Sequence, residues 1–284
     1  MILAANETVE MVWDLRPESL TLGGALVLRQ EGEILASIRG RSEVTMHLPG
    51  AAFGEAGFER LSQAVFHSSS YRFELRSDEA TAAAWPDANQ RRQPEYSSFS
   101  YTRVAELFEK TRIAPSLSWD ALRQERATAA RSAFSGKLVC LHVRRTAPFA
   151  LEESNADLDA WSVFLRQHAR PQILDFMLLG DDVLPEHLAR IPGVHRATHL
   201  ELATQLALIS FADGFIGMAS GLSTAASFSP TPHVILKHPS HHPEAMYREL
   251  GTADRFNFNR PRQWLWRRLG SAPQLTAALS AILP

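Results

Sequence analysis

The chain is 284 residues long and 45% hydrophobic, which supplies a proper core for one large domain or two modest ones and excludes a disordered chain. Its 29 basic and 31 acidic residues give a formal net charge of -2, so no whole-protein positive field exists to gather nucleic acid, and any anion must be held locally. A single cysteine, Cys140, lies in an apolar run; it excludes an intrachain disulfide framework and reads as a small buried hydrophobe, not a nucleophile.

The first residues, MILAANETVEMVWDL, carry acids and no basic leader, and no stretch reaches about 18 uninterrupted apolar residues. The expectation is a soluble, cytoplasmic protein with at most peripheral contact with a membrane. VEMVWDL (9–15) reads as a buried strand, ALVLRQEGEILASI (25–38) as a helix and EVTMHLPG (43–50) as a second strand closed by Pro-Gly, the start of a βαβ unit. AGFERLSQAVFH is helix-like, SYRFELR strand-like, and residues 77 to 98 form a polar, proline-punctuated loop. Two further helical stretches, YTRVAELFEKT and SWDALRQERATAARSAF, lead to Ser135 and Gly136, where the composition changes and a domain boundary is placed: 1–135 and 136–284.

From Lys137 onward, strands apolar on both faces alternate with amphipathic helices. They run LVCLHVR, DLDAWSVFLRQHA, ILDFMLLGDD, VLPEHLARI, VHRAT, ELATQLALISFA, GFIGMAS, LSTAASF and HVILK, and the helix APQLTAALSAIL closes the chain. That pattern defines a parallel sheet covered on both sides, so the fold class is α/β with two Rossmann-like domains facing a cleft. Neither GxGxxG nor the Walker pattern occurs, which argues against a standard dinucleotide or P-loop enzyme.

Three strand ends carry groups suited to an anion. The first is His142, Arg144, Arg145 and Thr146; alternation puts His142 and Arg144 on one face and turns Arg145 away, and a guanidinium fork matches a diphosphate. The plain alternative is surface arginines paired with Glu152, Glu153 or Asp157. The second is Gly180 followed by Asp181 and Asp182, either a nucleoside contact or a helix N-cap. The third is Ser220, Gly221 and Ser223, where a strand runs into a helix and the serines cap it, bind phosphate, or do both. His238, His241 and His242 form no metal site on this reading, because no cysteine accompanies them and two prolines break the helix that such ligation needs; a solvated loop is expected. Trp264 and Trp266, beside Arg267 and Arg268, read as helix packing in preference to a membrane patch.

LHVRRT resembles the HVRR motif of the α-1,6-fucosyltransferases and the related O-fucosyltransferases, and LLGDD and LALISFADGFIGMASGLSTAAS follow in that superfamily's order. The resemblance covers roughly the C-terminal half. It implies a GT-B fold, an N-terminal acceptor domain and a C-terminal domain for a nucleotide sugar, with GDP-fucose as donor and no metal or other cofactor. It further implies that Arg144 binds the β-phosphate, Asp182 the nucleoside and Ser220 or Ser223 a phosphate; it says little about the acceptor, which is expected to be a glycan or glycolipid hydroxyl. Two departures stand out: Ala147 follows Thr146 where the family has Asp, and the phosphate turn reads Ser220-Gly221-Leu222, closer to the Ser-Gly of heptosyltransferase-like GT-B enzymes.

An inverting, metal-independent transfer needs a base for the acceptor hydroxyl, and Asp14 or Glu18 after the first strand is the expected carboxylate. It also needs fixed positive charge for the departing diphosphate, the task assigned to Arg144. Two other readings stay open: a nucleotide-sugar epimerase or hydrolase on the same fold, and a GT-B domain without catalysis that binds a glycan or a protein partner.

Overall fold

A computed structural model describes residues 8–16, 20–77, 91–92, 101–145 and 155–283. Glu18, Thr146, Ala147, Glu152, Glu153 and almost all of the 77–98 loop lie outside them. The chain divides into two compact units, Met1–Asp120 and Ala121–Pro284.

The first unit is built on four parallel strands, β1 (Thr8–Trp13), β2 (Glu43–His47), β3 (Arg72–Arg76) and β4 (Arg91–Arg92), in the order β3-β2-β1-β4. Helix α1 (Leu22–Arg39) starts at Thr21, whose hydroxyl accepts from Gly24 N at 3.1 Å, and stops at Gly40, which takes the left-handed φ of 62° that a side chain resists. Helices α2 (Ala56–Val65) and α3 (Thr102–Thr111) pack against it. Arg29 is fully buried within α1. It donates to Glu33 Oε1 at 2.9 Å and to the carbonyls of Val65 and Ser118, and its guanidinium lies 4.8 Å from the Trp119 ring centre, so one cation ties three segments together. Burial pushes the Glu33 carboxyl upward, opposed by the Arg29 charge.

The second unit holds α4 (Ala121–Ser132), β5 (Lys137–His142), α5 (Leu158–His168), β6 (Leu174–Leu178), α6 (Glu186–Ala189), β7 (Val194–Arg196), α7 (Leu202–Ile209), β8 (Gly214–Met218), α8 (Gly221–Ser227), β9 (His233–Leu236), α9 (Pro243–Leu250), β10 (Gln263–Trp266) and α10 (Ala272–Ile282). Its six strands are parallel in the order β7-β6-β5-β8-β9-β10. Counted from β5, this is the 3-2-1-4-5-6 order of a doubly wound nucleotide-binding sheet, with its switch point between β5 and β8. Val139, Leu141 and Val143 face one apolar layer with Trp161 and Phe164 of α5 and Leu275 and Ile282 of α10. Alternation sends Cys140 and His142 to the opposite face. Cys140 is fully buried and its thiol is pushed up to about 12 by burial, so it behaves as the small hydrophobe expected.

The division falls between Asp120 and Ala121, ahead of the expected 135/136, because α4 belongs to the second unit. It packs on α7, and Arg131 near its end donates to the carbonyls of Phe134 and Gly136 and to Asp213 at 2.8 Å. Asp213 also accepts from Leu138 N at 3.0 Å, which fastens α4 to the sheet. Two elements were not expected. Pro243 starts helix α9 where a break was anticipated, since proline's fixed φ suits a first helical position, and the Trp264-Trp266 segment is edge strand β10. Both tryptophans do pack, but from a strand onto the core.

Candidate functional site

Three loops converge at the C-terminal edge of β6, β5 and β8, where a doubly wound sheet takes its ligand. His142 ends β5 and is buried at 4% exposure. Its Nε2 lies 3.1 Å from Asp182 Oδ2 beyond β6, and its Nδ1 lies 2.9 Å from Ser220 Oγ beyond β8. Asp182 Oδ1 accepts from Arg145 N at 2.6 Å. Burial raises the Asp182 carboxyl, but hydrogen bonds from His142 and Arg145 N and the His142 and Arg144 charges outweigh it, so it sits below its ordinary value and is ionised at neutral pH. Two glycines make room for this row. A Cβ on Gly217 would stand 2.9 Å from His142 Cβ, and Gly180, at φ 93°, turns the chain so that its amide meets Gln205 Oε1 at 2.8 Å.

Arg144 continues the His142 face and donates from Nη1 to Ala219 O at 3.0 Å, which spends one of its five N–H donors. Burial lowers its pKa and the Asp182 charge opposes this; the guanidinium stays charged. Arg145 is exposed, in keeping with the alternation. A second cation, Lys237, sits one residue past β9, bonded through its amide to Trp266 O at 2.9 Å. At 2% exposure it is more buried than any other lysine in the described residues, and burial drives its pKa down to about 8, with Glu249 opposing and Arg144 reinforcing the shift.

His241 is buried at 7% exposure and 4.3 Å from the His242 ring, so the expected solvated loop is corrected. Burial, then the Lys237, His242 and Arg144 charges, push its pKa down to about 4. Its ring is neutral at physiological pH. Among the described residues no group of three or more His, Cys, Asp or Glu side chains is arranged to hold a metal.

The remaining expected residues fall as follows. Asp181 is exposed, one residue before the row. Ser220 is half-buried and forms a capping box with buried Ser223: Ser223 N donates to Ser220 Oγ at 3.3 Å and Ser220 N to Ser223 Oγ at 2.8 Å. Gly221 is the first residue of α8. In the first unit, Asp14 follows β1 at that sheet's own switch point, and its carboxylate accepts from Arg16 N at 3.1 Å and from Arg16 Nε at 2.8 Å, and pairs with Nη2. Sequence reasoning missed Lys237 and His241, although HVILK ends on a cation just as LHVRR does.

The α/β fold with parallel sheets is similar to that of glycosyltransferases of the GT-B class. A heptosyltransferase from Escherichia coli, ADP-heptose lipopolysaccharide heptosyltransferase II, superposes with a TM-score of 0.59 at 11% identity, over 96% of this chain and 98% of that one. A family 9 glycosyltransferase from Veillonella parvula superposes at 0.56 and 12% identity, over 97% and 90%. A Bradyrhizobium fucosyltransferase reaches 0.40 at 14% identity, over 78% and 94%, and carries no weight. No protein-family model and no curated protein matches the sequence. Among the described residues no helix is long and apolar enough to cross a membrane.

Proposed function

We propose that the chain is a metal-independent glycosyltransferase that moves a sugar from a nucleoside-diphosphate sugar to the hydroxyl of a glycan or glycolipid. The observation that carries this reading is the pairing of two partly or fully buried cations, Arg144 and Lys237, at the switch-point edge of a six-stranded sheet. Fixed positive charge at the C-terminal strand ends of a doubly wound sheet is suited to an anionic ligand and to the charge that develops on a departing diphosphate. In the proposed reaction the acceptor oxygen attacks the anomeric carbon while the carbon–phosphate oxygen bond breaks. The electron pair goes to the nucleoside diphosphate, whose new charge faces Arg144 and Lys237, and the acceptor proton goes to Asp14. Glu18 is the other proposed base.

Two hints bear on the donor nucleotide, and they point to different bases. The HVRR resemblance favours GDP, and an Escherichia coli heptosyltransferase that superposes at a TM-score of 0.50 was solved with ADP-2-deoxy-2-fluoro heptose. Thermal-shift screening against GDP, ADP, UDP, CMP and dTDP tests the reading. A stabilisation by one diphosphate that disappears in Arg144→Ala supports it, and no shift with any nucleotide overturns it.

A further inference from the structure

We propose that Asp182, His142 and Ser220 form a one-proton switch that turns the Ser220 hydroxyl from an outward acceptor into an outward donor when a phosphate oxygen binds beside it. The proposal deepens the reading above and rests on it.

The chain of bonds fixes the logic. An ionised carboxylate only accepts, so the 3.1 Å contact from Asp182 Oδ2 places a hydrogen on His142 Nε2. The charge of the imidazole is then decided at Nδ1. A neutral ring has a lone pair there, and the 2.9 Å contact must be filled by the Ser220 O–H. Of the two Oγ lone pairs, one takes Ser223 N–H at 3.3 Å and the other faces outward, where it repels a phosphate oxygen.

A cationic ring reverses this. Its Nδ1–H donates to Oγ, both lone pairs are filled, and the serine hydrogen can only point away from the ring, towards an anion. The proton comes from solvent when the anion binds and returns when it leaves; no covalent bond changes. The Asp182 carboxylate, 3.1 Å from Nε2, pairs with the imidazolium and offsets its burial.

Other charged groups are placed to bias the switch. Arg144, on the extension of β5, and beyond it Lys237 after β9, with Glu249 on α9, stand along the same edge. From α8 come the hydroxyls of Ser223 and Thr224, which donate to Ser220 O at 2.7 and 3.3 Å. His142 is buried and Ser220 half-buried, so Ser220 touches the ligand and His142 is a positioning residue.

The test is isothermal titration of ADP, GDP and inorganic pyrophosphate into the full chain, between about pH 6 and 8, in buffers of different ionisation enthalpy. Wild type is expected to take up close to one proton more per bound anion than Ser220→Ala on the alkaline side, and its Kd to rise by up to about tenfold per pH unit there. Ser220→Thr, which keeps both hydroxyl and cap, should restore the uptake; His142→Gln should abolish it. Equal proton uptake in wild type and Ser220→Ala overturns the switch and leaves the reading of the site standing. No binding of any probe to wild type removes both.

Discussion

The two sheets repeat one strand order at their centres, β3-β2-β1-β4 in the first unit and β7-β6-β5-β8 in the second, yet different side chains follow their central strands. After β1 stands an acid, Asp14, held by the arginine two residues on. After β5, β8 and β9 stand two cations and a hydrogen-bonded row of histidine, aspartate and serine. The difference teaches that this fold fixes where a ligand is met, whereas the strand-end residues fix which charge meets it. A carboxylate suits a proton that must be removed, and buried cations suit a phosphate that must leave.

That contrast is broken most severely at the acid. Asp14→Asn should lower turnover by roughly 10²- to 10⁴-fold, the usual worth of a general base, and leave the Kd for the nucleoside diphosphate unchanged; steady-state kinetics beside titration calorimetry separates the two. The largest effect on binding belongs to Arg144→Ala. Charged hydrogen bonds contribute about 1.5–3 kcal/mol each, so Kd should rise by roughly 10- to 100-fold, with the melting temperature of the free protein moved little.

Lys237 sharpens the comparison through pH. Its folded pKa, about 8, lies below the ordinary lysine value, so between about pH 8 and 10.5 the unfolded chain binds more protons and stability rises with pH. Below that window the burial cost is present in full. The double variant Lys237→Met/Glu249→Gln should therefore melt higher than wild type at pH 7, lose that margin by about pH 10, and bind the diphosphate several-fold more weakly.

The smallest effect is on the acid side, at His233. This residue is fully buried with Nδ1 3.1 Å from Thr231 O, and burial pushes its pKa down to about 4. The unfolded chain binds the extra proton, so stability falls as pH drops from about 6.5 to about 4. Replacing it by Gln should flatten that part of the melting-temperature profile.

Much of the second unit is legible in the sequence, because parallel strands covered on both faces leave continuous apolar runs, as in LVCLHV and GFIGM. Period-two alternation then suffices to put His142 and Arg144 on one face and Arg145 in solvent. The contact between His142 and Asp182 was out of reach, since it depends on the Gly180 turn and on which loops become neighbours. Lys237 was missed for a plainer reason: a terminal lysine on HVILK looks like a surface charge, whereas the fold leaves it 2% exposed. Pro243 misled because proline stops a helix from inside but starts one at its first position. In the first unit β3, RFELR, has no fully buried position, so no continuous apolar run marks it.

The central claim is that a nucleoside diphosphate is held at the ends of β5 and β8. Amide hydrogen exchange with and without the nucleotide that raises the melting temperature tests it most directly. Slowed exchange at Arg145 and across 219–224 is the predicted result, because those amides belong to the strand ends at which the phosphate is proposed to bind. Protection confined to residues 8–77, with 142–145 and 219–224 unchanged, would contradict it.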